Sequence, residues 1–597
     1  MAHDGSLIDG ENTRTGVGRV VMRRSTLCIA TIAACLTSLR LCESFRPAHP
    51  VARGTVVRVS SSSALSVVSS SSSVAHVALV SGSGQSGYGQ TSPEPNPSWQ
   101  QVSDQLALRL PHFAGTLSDG GGSDVIQTTS IKATELGAAD LKGQDIVVAL
   151  GVCTDEEHTK LAAALDAAQD SLAAILADPT CGEETRSRQK AGKYVKSSAI
   201  ANACASIIPW SAAATGMRVL SKTDTLLGRK SSEDYIFAVL FAIHGLGVTT
   251  IDAVKSDLNP SWEKGPIRNA QEFKKMADCC GPQIAAAISD PQTKKAIDSL
   301  NAVDLRDQVG SYRVIVSNET PELEDFTLCI LQQNDCFGCD APILDRPKVP
   351  LQKEWRGKPL DQEAAKQIII GHLDHPDAAD CSKREDWSWR ICVGANPAYD
   401  AFPMQHQIFY PSDKGKSLWY DPVFCVETLA NELIWCKRHY RVTPRRHWSA
   451  DEAGAPEGAS PGAWTLNTLD NGMVSEEKWT TVDAADDLSW AVLHYSGAAR
   501  RAGQSYVGAL LCTPDGEWPA DCRSGENLER IRRAFRSCDL ELWELFGGTT
   551  EKSYMWDDTF TTWKADNPPP LDRIGDISIT SWRAKEREKA FAEKQNA

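Results

Sequence analysis

Asp400 is the residue whose setting most invites acid–base chemistry. It follows Asn396-Pro397 in a loop, and partial burial at the mouth of a ligand site raises a carboxyl pKa toward that of a working general acid. The same side chain could instead cap a backbone turn in that loop. The thiols offer a different chemistry. Cys329, Cys336 and Cys339 cluster, and Cys279 adjoins Cys280. The x2 spacing of Cys336 and Cys339 is half a zinc site, but no second CxxC or HxxxH follows, so no metal is expected. Disulfides, Cys329 with Cys336 for example, suit an oxidising compartment; a reduced set of thiols is the alternative.

The elements that must position Asp400 are strands. After about residue 385, aromatic and β-branched residues increase, and eight candidate strands follow: 386–394, 404–411, 417–427, 432–443, 463–469, 478–483, 488–496 and 505–512. Turn residues separate them, among them Asp413-Lys414-Gly415 and Asp470-Asn471-Gly472. Along 488–495 both faces are partly apolar, as when a barrel lines a cavity inside and packs a helix outside. Leu528, Ile531, Phe535 and Leu540 mark a closing amphipathic helix. Eight strands and then a helix is the lipocalin arrangement. Upstream, Leu161, Leu165, Ala168, Leu172 and Ile175 fall at helical steps. A faint repeat relates Ala173–Thr180 to Ala286–Thr293. The expected fold class is α+β multidomain: an eight-stranded antiparallel lipocalin-like barrel preceded by a mostly helical region.

Two blocks carry a family resemblance. One runs Trp387-Ser388-Trp389-Arg390-Ile391-Cys392-Val393-Gly394-Ala395-Asn396-Pro397-Ala398-Tyr399-Asp400-Ala401-Phe402; the other spans Asp470-Asn471-Gly472 to Gly508-Ala509. With Cys336 to Arg346 and Trp355-Arg356-Gly357, they resemble the violaxanthin de-epoxidases, most closely the de-epoxidase-related branch, over about residues 320 to 590. The resemblance implies removal of an epoxide oxygen from a xanthophyll ring, with ascorbate as co-substrate at acidic pH. It further implies a carotenoid ligand in the barrel, a homodimer, and peripheral association with the thylakoid membrane. By the same resemblance Asp400, Glu477 and Tyr495 are the catalytic candidates. Tyr399, Gln405, Trp389 and Trp490 are the substrate-binding ones. His406, beside Gln405, reads as a histidine on an exposed strand.

The chain also departs from the family. Pro403, Met404, Gln405, His406 and Gln407 replace an acid, Cys, Gln and histidine run, so the histidine position holds Gln407. An acidic pair becomes Glu477-Lys478, and Cys512 stands where the family has Tyr. Three readings therefore stay open: a violaxanthin de-epoxidase-type oxidoreductase of the xanthophyll cycle, a carotenoid-binding lipocalin without chemistry, and a regulatory partner of the true de-epoxidase.

Charge and address complete the reading. A net charge of −15 over 597 residues argues against nucleic acid. Arg23-Arg24, the short apolar run 27–41 and Phe45 before an acid-poor, Ser-rich stretch resemble the bipartite presequence of algae with complex plastids. That implies a plastid protein of the thylakoid lumen; a secretory signal followed by a Ser-rich linker is the alternative. Met22 is a second candidate start. The expected organisation is a presequence over 1–75, a linker without a fold over 76–125 and a helical, Cys-bearing domain over 126–340. The barrel with its closing helix follows over 341–550, and an exposed tail over 551–597. Tyr235 to Val248 is the most membrane-like later stretch and is short.

Overall fold

Alternation in the C-terminal half builds the barrel. The computed structural model describes residues 74–89, 92–115, 125–196, 212–229, 231–248, 270–303, 308–345, 347–372, 388–395, 404–412, 417–430, 433–448 and 458–547.

Four parallel strands come first: β1 (Ala75–Ser81), β2 (Ile126–Lys132), β3 (Ile146–Leu150) and β4 (Ala174–Ala177), in the order β2-β1-β3-β4, with a short hairpin after β4. Both faces of this sheet are covered, which is why β1 and β3 are unbroken apolar runs. Val77, Leu79, Ile146 and Val148 pack beneath helices α1 (Trp99–Gly115), α3 (Ala212–Leu227) and α4 (Ser232–Gly245). Ala78, Val80, Val147 and Ala149 pack against Leu161 and Leu165 of α2 (Asp155–Ala168).

This arrangement revises the upstream reading in three places. Residues 76–125, expected as a linker, carry β1 and α1. Residues 126–177, within the expected helical domain, supply β2 to β4. Ile175, counted on a helical face, lies in β4, so the Asp-Pro repeat joins unlike structures. Asp178 follows a strand, whereas Asp290 caps a helix through Thr293 N at 2.7 Å. Tyr235 to Val248 is largely α4, apolar all round because it is core. No helix of the described residues is long and apolar enough to cross a membrane.

Helices α5 (Ala270–Ser289), α6 (Pro291–Ala302), α7 (Gln308–Ser317) and α8 (Pro321–Thr327) follow, the last running into a π-helical turn, Leu328–Gln333. A Cys280–Cys329 disulfide ties α5 to that turn. Cys329 thus pairs with Cys280, and Cys336 is a free thiol beside them.

Helix α9 (Gln362–Ile370) precedes the barrel segments β5 (Trp389–Gly394), β6 (Met404–Gln407), β7 (Phe409–Pro411), β8 (Leu418–Tyr420), β9 (Val423–Glu427), β10 (Leu433–Lys437), β11 (Tyr440–Pro444), β12 (Ala463–Asp470), β13 (Met473–Ala484), β14 (Ala491–Ala499) and β15 (Gln504–Thr513). Eleven segments trace eight strands. The register with Gln405 opposite Phe424 continues unbroken to Tyr410 opposite Trp419, so β6–β7 and β8–β9 are each one strand interrupted. The same holds for β10–β11, from Val423 opposite Lys437 to Leu418 opposite Val442. Each strand pairs with the next, and β15 pairs with β5, which closes the ring. Helix α10 (Gly525–Arg536) lays Leu528, Ile531 and Phe535 on the barrel's outer wall. The result is an α+β chain ending in a lipocalin-like barrel.

One barrel end is plugged. Ala365, Ile368 and Ile369 of α9 pack with Trp389, Phe409 and Trp464, and Trp389 Nε1 donates to the Ile368 carbonyl at 2.9 Å. The other end lies under α6 to α8.

Candidate functional site

Period-2 geometry points Glu477 inward and Lys478 outward on β13. Lys478 reaches Asp345 at 3.4 Å on the surface, so the charge reversal beside Glu477 does not enter the interior. Inside, a cavity of about 660 Å³ runs from the barrel core to the underside of the helical cap. Its barrel half is aromatic, with Tyr420, Tyr440, Trp479, Tyr495 and Tyr506; its cap half is aliphatic and aromatic, with Ile297, Leu300, Phe326, Leu331 and Phe337. A volume in this range suits one ligand in an eight-stranded barrel.

Glu477 is a carboxyl deep in this lining. Trp479 Nε1 donates to its Oε2 at 2.6 Å and the Tyr506 hydroxyl to its Oε1 at 2.8 Å. The Tyr440 hydroxyl completes the set. Burial raises the Glu477 pKa above the ordinary carboxyl value, and these hydrogen bonds only partly offset it. The group is thus held toward its neutral, proton-bearing form. Two glycines make room for the cluster. A Cβ on Gly497 would stand 2.5 Å from the Tyr506 ring and 2.8 Å from Glu477, and one on Gly508 would stand 2.5 Å from the Tyr495 hydroxyl oxygen.

Nearer the cap is a second polar centre. Arg438, buried and in the cavity wall, reaches Glu319 at 2.7 Å and Asp470 at 2.8 Å. Its guanidinium lies 5.4 Å from the centre of the Tyr312 ring on α7. Glu319 sits between α7 and α8, so this network fastens the cap to the barrel rim. Burial pushes the Glu319 carboxyl up to about 7, with Arg438 opposing the shift. An acid whose pKa rises on folding takes up protons as it folds. Its stabilising contribution is fully present below about 4.5 and is lost as the pH rises through about 7. Relative to Glu319→Gln, the wild type is therefore expected to lose up to about 3 kcal/mol between about pH 5 and pH 8. Thermal unfolding of the pair across that range reads the difference, and parallel curves would place the pH sensitivity elsewhere.

The expected site residues are only partly brought together. Glu477, Tyr495 and Gln405 line the cavity. Trp389 closes the floor below it. Trp490 faces the opposite way from Tyr495, packs under α10, and carries Arg530 4.8 Å above its ring, so it is outside the cavity. Tyr399 and Asp400 lie outside the described residues. His406 is buried rather than exposed, and its pKa is held well below the ordinary value by desolvation. Gln407 lines the cavity and accepts the Tyr420 hydroxyl, where a titrating histidine was the family expectation. Cys512 is a buried core thiol whose pKa is raised by desolvation. Arg438, Glu319, Tyr312 and the tyrosine set around Glu477 were not anticipated. Alternation on β13 would have found Trp479 beside Glu477, but the cap contacts join distant segments.

No protein-family model matches the chain, and no curated protein matches it. Solved structures do resemble part of it. The siderocalin Ex-FABP, described as functioning through dual ligand specificities, is 9% identical. That match covers 28% of this chain and 93% of its own, with a TM-score of 0.19. Lobster apocrustacyanin A1 is 11% identical, with 35% and 96% covered and a TM-score of 0.20. Likenesses of this size say nothing of ligand or chemistry, and the barrel stands on its own strand pairing.

Proposed function

We propose that the cavity holds a xanthophyll and that the protein is a violaxanthin de-epoxidase-type oxidoreductase of the plastid, with Glu477 as its acid. The observation that carries this reading is a carboxyl of raised pKa, ringed by tyrosines, inside a largely apolar cavity that continues beneath the cap. Such a cavity suits a rigid apolar polyene with an oxygenated ring. Glu477 gives its proton to the epoxide oxygen as a ring C–O bond opens. Ascorbate supplies two electrons and the second proton and leaves as dehydroascorbate. The second C–O bond then breaks, the oxygen departs as water, and a double bond forms between the two ring carbons that carried it. Tyr440 and Tyr506 hold the carboxyl in place, and Tyr495 offers a donor to the ring. Asp400 remains a second acid candidate on the sequence alone.

The alternative is a container that binds pigment without converting it, which the exchange of the family's histidine for Gln407 favours. The test is to incubate the full chain with violaxanthin and ascorbate at a pH of about 5, near carboxyl pKa values, and to separate the pigments by chromatography. Antheraxanthin and zeaxanthin are the expected products. Violaxanthin that co-elutes with the protein unchanged would replace the enzyme reading with the container.

A further inference from the structure

The turn Asp470-Asn471-Gly472 joins β12 to β13 and is pressed against the cap. A Cβ on Gly472 would stand 2.3 Å from the Glu324 carbonyl oxygen and 2.5 Å from Leu328 N. Asn471 adopts a left-handed backbone, φ 47°, which asparagine tolerates in such hairpins. It is only 4% exposed and lines the cavity. Its amide nitrogen donates to Glu319 Oε1 and to Asp470 Oδ1, each at 2.8 Å. Rotating the amide by half a turn would set its oxygen against the Asp470 carboxylate and against a Glu319 oxygen that already accepts from Arg438, so the orientation is fixed. The Oδ1 atom left over is buried and finds no hydrogen-bond partner among the described residues.

From these contacts we infer that Asn471 is a ligand subsite, accepting a hydrogen bond from a hydroxyl on the molecule held in the cavity. The inference rests on the xanthophyll reading and adds its specificity: hydroxylated carotenoids are selected over hydrocarbon ones. A buried acceptor fixed without a donor is costly, and a ligand hydroxyl removes that cost whereas a hydrocarbon cannot. Glu477 is six residues further along the same hairpin arm, at most about 20 Å away at the rise of a strand. Both residues line the same cavity, so one ligand can meet the two of them.

The probes are zeaxanthin and β-carotene, which differ only in ring hydroxyls. Binding is measured with the full chain by quenching of tryptophan fluorescence, in the wild type and in Asn471→Gly. Glycine accepts the left-handed backbone, so the turn survives; loss of the two amide hydrogen bonds lowers the unfolding midpoint, and a single cooperative transition with an unchanged denaturant slope verifies that the fold is kept. The wild type is expected to bind zeaxanthin about fivefold more tightly than β-carotene, the size of one net hydrogen bond. N471G is expected to lose that preference with its β-carotene affinity unchanged. Equal affinities in the wild type, or a preference that survives in N471G, would overturn the subsite and leave the xanthophyll reading standing. Binding of neither pigment would overturn both.

Discussion

Glu477→Gln is expected to slow conversion of an epoxidised xanthophyll by at least about a hundredfold while leaving pigment affinity within about twofold, since general-acid contributions run from 10² to 10⁴. Glutamine keeps the shape and one acceptor oxygen, which stays with Trp479 Nε1, while its NH2 donates to the Tyr506 hydroxyl in place of accepting from it, so the aromatic wall stays in place. Only the transferable proton is lost. The pH profile separates this role from a structural one. Burial holds Glu477 protonated above the ordinary carboxyl pKa, so wild-type activity is present below that raised value and falls as the pH climbs through it. The variant's residual activity is expected to lack this limb. A variant with the wild-type rate, or with the same descending limb at a reduced rate, would mean that another group donates the proton, and Asp400 would be the next to replace.

How far this site could be read from the sequence depends on distance along the chain. Strands announce themselves locally. The stretches 404–411, 417–427 and 432–443 each read as one strand, and unbroken register joins their halves. Tyr495 was placed inside by the family resemblance, while alternation along 488–496 sets Trp490 on the opposite face and should have excluded it. The clue was present, but an apolar outer face under α10 made both sides look like lining. Gly497 and Gly508 gave no signal, because their need arises from side chains on neighbouring strands.

The upstream sheet was hidden for a different reason. The β1 run Ala75–Ser81 stands directly after a Ser- and Val-rich stretch and before Gly82-Ser83-Gly84, so composition blurred it into leader and linker. Its partners β2 and β3 lie some fifty and seventy residues away, and they and the helices on both faces account for its burial. Trp99, Val102, Leu106 and Leu110 do keep helical spacing in α1, a local signal that was there to be read. The buried Arg109–Glu544 pair at 2.6 Å, which docks α1 on the segment after α10, spans most of the chain and left no local trace.

Arg438→Met is expected to destabilise the protein by about 3–5 kcal/mol, the usual cost of removing one partner from a buried charge network. Methionine fills much of the volume beside Tyr312 and Phe424, so the loss is chiefly electrostatic. Glu319 and Asp470 would then face each other with the Asn471 amide as the donor between them. Because Glu319 and Tyr312 come from the cap and Arg438 and Asp470 from the barrel, the damage falls on the seam between them. Cleavage by added protease within residues 270–333 is therefore expected to rise before the barrel itself unfolds. Adding Glu319→Gln should recover part of the loss, since it removes one of the two carboxylates that Arg438 had neutralised. Denaturant unfolding of the wild type, the single variants and the double variant measures the coupling. If R438M unfolds at the wild-type midpoint, the ion network does not hold the cap. The seam would then rest on apolar contacts such as Val316 with Val426 and Cys436, and loosening it would require replacing those.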